Sequence, residues 1–139
     1  MKIVHLTDIH VHVRPALGDL LGKRLIGSTN LYVLGREAHF SAASQRAAVD
    51  AAVAEDPDVV VITGDLTAQA LDSEFQAARA LLAPLLERFE TVIIPGNHDV
   101  YVPEATPAGT MRRHFGEWMG DSTPWLHTFD DVAFLAIET

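Results

Sequence analysis

Three short stretches carry residue types that can bind metal or move protons: Asp8-Ile9-His10, Gly64-Asp65-Leu66-Thr67 and Pro95-Gly96-Asn97-His98-Asp99. Carboxylate and amide oxygens are hard ligands, and an imidazole can take a metal or carry a proton near neutral pH. Asp8 and His10 are separated by one residue, so in a loop leaving a strand both can face one ion. The set Asp8, His10, Asp65 and Asn97 has no sulfur, which suits Mn, Fe, Zn or Mg ions rather than a structural zinc. One carboxylate placed between two ions, most naturally Asp65, would bridge them. Such a pair acidifies a water and clamps the oxygens of a phosphoryl group during in-line displacement. His98 would then act as general acid or as a cationic stabiliser, with Asp99 fixing its tautomer. Taken singly, each stretch also reads as ordinary turn chemistry, because Asn and Asp cap their own backbone. Their placement along the chain decides between the two.

Each stretch follows an apolar run of strand character, over residues 2–7, 59–63 and 91–94. A helix is expected over residues 42–55, with Ser41 as N-cap and Ala48, Val49, Ala52 and Val53 as one buried stripe; Asp56-Pro57-Asp58 stops it. A second helix is capped by Asp72 and carries Phe75, Ala78, Leu82, Leu85 and Leu86 at helical spacing; Pro84 should kink it or begin another. Strands separated by helices predict an α/β fold with one parallel sheet, so all three chemical loops emerge at its carboxyl edge.

Elsewhere the residues read as structure. Residues 15–40 are interrupted by Pro15, Gly18, Gly22, Gly27 and Gly35 and suit a lid; Lys23, Arg24 and Arg36 in it read as a solvated helix face. His5 is expected as a satisfied histidine in or under the sheet, and His12 and Arg14 as solvated loop residues. A helix over residues 110–119 precedes a hairpin of residues 125–129 and 132–137 turned at Asp130-Asp131; His114 and His127 are assigned structural roles within them. The 139 residues are 48% hydrophobic and 21% charged, which is a globular composition, and they contain no cysteine for disulfides or thiolate chemistry. A net charge of −9 argues against nucleic acid or an anionic membrane held by a basic surface. With no signal peptide at the start and no apolar run of spanning length, a soluble cytoplasmic protein is expected.

In order and spacing, Asp8-Ile9-His10, Gly64-Asp65 and Gly96-Asn97-His98-Asp99 resemble the first three signature blocks of the calcineurin-like metallophosphoesterases, across the first hundred residues. The resemblance implies an αββα sandwich of two mixed sheets flanked by helices. It implies hydrolysis of a phosphodiester or phosphomonoester with two divalent ions, Mn, Fe or Zn. By it, Asp8 and His10 bind the first metal, Asp65 bridges, Asn97 binds the second, and His98 with Asp99 forms the catalytic pair. The Gly64-Asp65-Leu66-Thr67 block resembles bacterial members related to cyclic nucleotide phosphodiesterases, which points toward a cyclic or other nucleotide; nucleic acid, phosphoprotein and nucleotide-lipid diphosphate stay open as substrates. The family continues with a further metal-binding histidine and a Gly-His-x-His block, and neither is present. The expectation is therefore one domain over residues 1–139, the amino-terminal part of the sandwich, whose apolar last strand could self-associate. The alternative is a scaffold or binding module that keeps the fold without the chemistry, or an inactive fragment whose metal site is incomplete.

Overall fold

The computed structural model of the chain describes residues 1–14, 41–100 and 109–137. The lid expected over residues 15–40 lies outside them, as do Lys23, Arg24 and Arg36. The described elements are strand β1 (Ile3–Leu6), helix α1 (Ala42–Ala54), β2 (Val59–Ile62), α2 (Asp72–Leu86), β3 (Glu90–Ile93), α3 (Thr110–Phe115), and the hairpin strands β4 (Trp125–Phe129) and β5 (Val132–Ala136). One 3₁₀ turn, Gly116–Trp118, follows α3, so the helix expected over residues 110–119 loses its α-helical bonding after Phe115.

β1, β2 and β3 pair in parallel in that order, with Leu6 opposite Ile62 and Ile62 opposite Ile93. Parallel strands buried on both faces need continuous apolar runs, which Val59-Val60-Val61-Ile62 supplies. The equal register matters functionally, because it brings the three strands to an end at one level. α1 and α2 pack on each other. The core joins Val60, Ile62 and Ile93 from the sheet to Val49 and Ala52 of α1, to Phe75, Ala78, Leu82 and Leu85 of α2, and to Met111 and Phe115 of α3. Burying each of the larger of these side chains contributes about 1.5–3 kcal/mol.

Ser41 is the N-cap of α1, though its carbonyl rather than its hydroxyl does the capping, accepting from Gln45 N–H at 3.0 Å. At α2 the cap is Leu71 and not Asp72, because Glu74 already takes the Leu71 N–H at 3.2 Å. α2 runs unbroken through Pro84, whose missing N–H falls in the last turn, where one lost bond does not split the helix. The hairpin forms as expected, with Asp130 in the left-handed conformation at its turn (φ 48°). Its outward face carries Leu126 and Leu135 directly opposite one another, both 61% exposed. Among the described residues no helix is long and apolar enough to cross a membrane.

Candidate metal centre

The loops after β1 and β2 run side by side and continue the parallel ladder past the strands. Asp8 N–H donates to the Gly64 carbonyl (3.2 Å), His10 to Asp65 (2.8 Å) and Val11 to Leu66 (2.8 Å). The backbone is driven into the left-handed region at Asp8 (φ 56°), His10 (φ 50°) and Asp65 (φ 50°). For residues with a side chain this conformation costs on the order of 1–3 kcal/mol each, and such outliers gather at working sites. The third loop arrives by close contact. A side chain on Gly64 would meet the Gly96 nitrogen at 2.0 Å, and one on Gly96 would meet Asp65 Oδ1 at 2.2 Å, so only glycine lets these turns touch.

These constraints bring His10, Asp65 and His98 together, each offering a ligand atom within 4.8 Å of the others. His10 Nε2 lies 3.5 Å from Asp8 Oδ1 and 3.9 Å from Asp65 Oδ2. The His10 and His98 rings meet edge to face, with centroids 4.9 Å apart. Asp65 also accepts the His98 backbone N–H through Oδ1 (2.9 Å), so one carboxylate touches both neighbouring loops. Exposure grades across the cluster: the Asp8 side chain is 62% exposed, while those of Asp65 and His10 are 15% and 12% exposed. Asn97 sits exposed on the turn just before His98.

Asp99 takes a different place from the one expected of it. It is fully buried, and its carboxylate accepts from the N–H groups of Leu66 (3.2 Å), Thr67 (2.9 Å) and Gly96 (3.0 Å) and from the Thr67 hydroxyl (3.0 Å). Burial pushes this carboxyl above its ordinary range, while the Gly96, Thr67 and Leu66 amides and the Thr67 hydroxyl pull it back. The orienting contact on His98 is instead the Ala68 carbonyl, which lies 3.0 Å from Nδ1. A carbonyl only accepts, so Nδ1 carries a proton and Nε2 is left for the site. The expected His98–Asp99 pairing is thus replaced by two separate jobs: Ala68 orients the ring, and Asp99 straps the second and third loops together.

Residue types alone did not single out two supports. Glu74, fully buried, accepts from the N–H groups of Gln69 (2.9 Å) and Leu71 (3.2 Å) and, at 3.4 Å, from Val13 of the first loop. Its place three residues after the N-cap is a capping-box signal that could have found it. Gln45 of α1 donates to the carbonyls of Ile9 (2.8 Å) and His10 (3.2 Å), and nothing in its sequence surroundings marks it.

Among the described residues, His5, His114 and His127 have partners of their own. His5 is exposed rather than buried under the sheet, and its Nε2 pairs with the Thr63 hydroxyl at 2.7 Å. Arg14 is exposed as expected, whereas His12 is half-buried. His114 pairs with Asp72 (3.0 Å) and stacks on Phe75; His127 lies 3.0 Å from Glu90.

A protein-family model described as calcineurin-like phosphoesterase matches residues 1–139, the whole chain. The chain belongs to the calcineurin-like phosphoesterase family. No curated protein is significantly similar to it. Phosphoesterases of this family depend on metal, and the donor set here fits a divalent ion: two imidazoles and a carboxylate converge with no sulfur among them, and Asp8 stands beside His10. The parallel sheet with alternating strands and helices agrees with a metallophosphoesterase-type fold.

Proposed function

We propose that this calcineurin-like phosphoesterase hydrolyses phosphodiesters or phosphomonoesters with two divalent ions, manganese, iron or zinc. Asp8 and His10 would hold a first ion, Asp65 would serve both, and Asn97 would belong to the second. The observation that carries this reading is the convergence of His10, Asp65 and His98 from the ends of three parallel strands, the first two on strained backbone, in a chain the family model matches throughout. When bound, the ions supply positive charge to the phosphoryl oxygens and acidify water. Asp65 holds the second and third loops in register, through its own carboxylate and the His98 N–H. His98, turned by Ala68, presents Nε2, and as imidazolium it delivers its proton from that atom to the departing oxygen. A cyclic or other nucleotide is the substrate class suggested by the Gly64-Asp65-Leu66-Thr67 block.

The test combines elemental analysis after manganese reconstitution with turnover of bis(p-nitrophenyl) phosphate. About two ions per chain are expected, as a two-metal site needs. His98→Ala should lower turnover at least about tenfold, since a positioned general acid contributes roughly 10²–10⁴-fold, while the metal stays bound. Turnover equal to that of the unsubstituted chain removes His98 from this role, and metal lost together with turnover makes it a ligand instead.

A further inference from the structure

The first ligand loop is held from two sides by different chemistry. Its N–H groups face β2's loop and are consumed there, at Gly64, Asp65 and Leu66. Its Val11 carbonyl also faces that loop, accepting from Ala68 N–H at 3.0 Å, whereas the Ile9 and His10 oxygens both accept from the Gln45 side-chain amide, at 2.8 Å and 3.2 Å. An amide NH₂ has two donors, so it can serve two successive carbonyls, which a hydroxyl with its single hydrogen cannot. Gln45 is itself fixed, because it lies in the first turn of α1 and its own N–H bonds the Ser41 carbonyl at 3.0 Å.

The peptide between Ile9 and His10 is where this matters. Asp8 and His10, on either side of Ile9, both have positive φ, a conformation that persists only where its surroundings over-determine it. Rotation of that peptide would swing the imidazole that faces Asp8 and Asp65. We infer that Gln45 is a positioning residue for the metal centre: by clamping the Ile9 and His10 carbonyls to α1, it sets the direction of the His10 ring. The inference rests on the metal reading of the site. Beside Gln45 is a cavity of about 200 Å³ lined in part by Thr7, Asp8, Ser41 and Ser44. Water can therefore satisfy the two carbonyls if the amide is removed, which leaves the fold intact and the ring direction unset.

The experiment is a calorimetric titration of the full 139-residue chain with manganese chloride, paired with the Mn²⁺ electron paramagnetic resonance spectrum and a thermal melt. Groups that orient metal ligands typically change affinity about 10–100-fold when removed. Gln45→Ala should weaken Mn²⁺ binding about tenfold, broaden the spectrum and leave the melt unchanged. Gln45→Glu, which sets an acceptor against two acceptors, should weaken it more. Leu82→Ala serves as the control: it should lower the melt while leaving Mn²⁺ affinity alone. Equal affinity for Gln45→Ala and the unsubstituted chain overturns the inference, because the backbone ladder to Gly64, Asp65 and Leu66 would then suffice. An unsubstituted chain that binds no Mn²⁺ overturns the metal reading, and this inference falls with it.

Discussion

Two clusters in this molecule set carboxylates against imidazoles, and they differ in the opposite sense from what hydrogen bonding alone would suggest. At the seam of α2 and α3, Asp72 lies 3.0 Å from His114 and 3.2 Å from Arg113. At the carboxyl edge of the sheet, His10 stands 3.5 Å from Asp8 and 3.9 Å from Asp65. The tighter pairs are the structural ones. The seam joins helices in relaxed backbone, and its partners satisfy one another; Arg79 braces it by donating to the His114 carbonyl (2.6 Å) and lying over Trp118. The sheet-edge cluster draws on three loops, forces Asp8, His10 and Asp65 into left-handed conformations, and spaces its side chains more widely. Backbone strain of this kind gathers at working sites, and the relaxed seam has none of it.

The sharpest way to break this comparison is to push the loops apart. In Gly96→Ala the new methyl would meet Asp65 Oδ1 at 2.2 Å and its backbone nitrogen at 2.3 Å. Overpacking of this kind costs about 3 kcal/mol, and here it also displaces Asp65 Oδ1, which the proposed centre uses. Urea denaturation should show that loss, and Mn²⁺ affinity should fall with it. If stability fell while affinity held, the close approach would be packing only. Glu74→Ala comes next. It removes the acceptor of the Gln69 and Leu71 amides in a fully buried place and should cost about 2 kcal/mol, because orphaned buried donors are expensive. Its loosening of the Val13 contact is smaller, since that bond is long at 3.4 Å.

The sequence made the three chemical loops legible because each combined an apolar run with a glycine or a polar turn, and parallel pairing of those runs leaves their loops no other edge to leave from. His10, Asp65 and His98, which the structure brings together, all lie in those loops. Asp99 did not, because adjacent residues on a turn can point to opposite sides. A carboxylate beside a histidine reads as its partner until the orphan amides of Leu66, Thr67 and Gly96 are seen to need an acceptor. Asp72 and Glu74 compete for one helix start, and the winner depends on the reach of a side chain, which residue type alone does not specify. Gln45 was invisible for a similar reason: its partners are backbone carbonyls more than thirty positions away. The hairpin was the easiest element, since half-buried alternation and an Asp-Asp turn are local properties.

The smallest effect belongs to the seam, and it carries a pH signature. His114 and Arg113 hold the Asp72 carboxyl below its ordinary range by hydrogen bonding and charge. An acid whose pKa is lowered on folding stabilises the fold above its unfolded value, and that contribution disappears as pH falls through the folded value. Asp72 is largely exposed, so solvent screening limits the pair to about 0.5 kcal/mol. Asp72→Asn should therefore lower stability by about that amount at neutral pH, and the gap should close as the solution is acidified below about pH 4, the range in which aspartate titrates. The substitution should leave Mn²⁺ affinity untouched. A fall in affinity would show that strain at the α2–α3 seam reaches the sheet edge through the chain between Ala68 and Asp72, and the two clusters would then be one coupled unit.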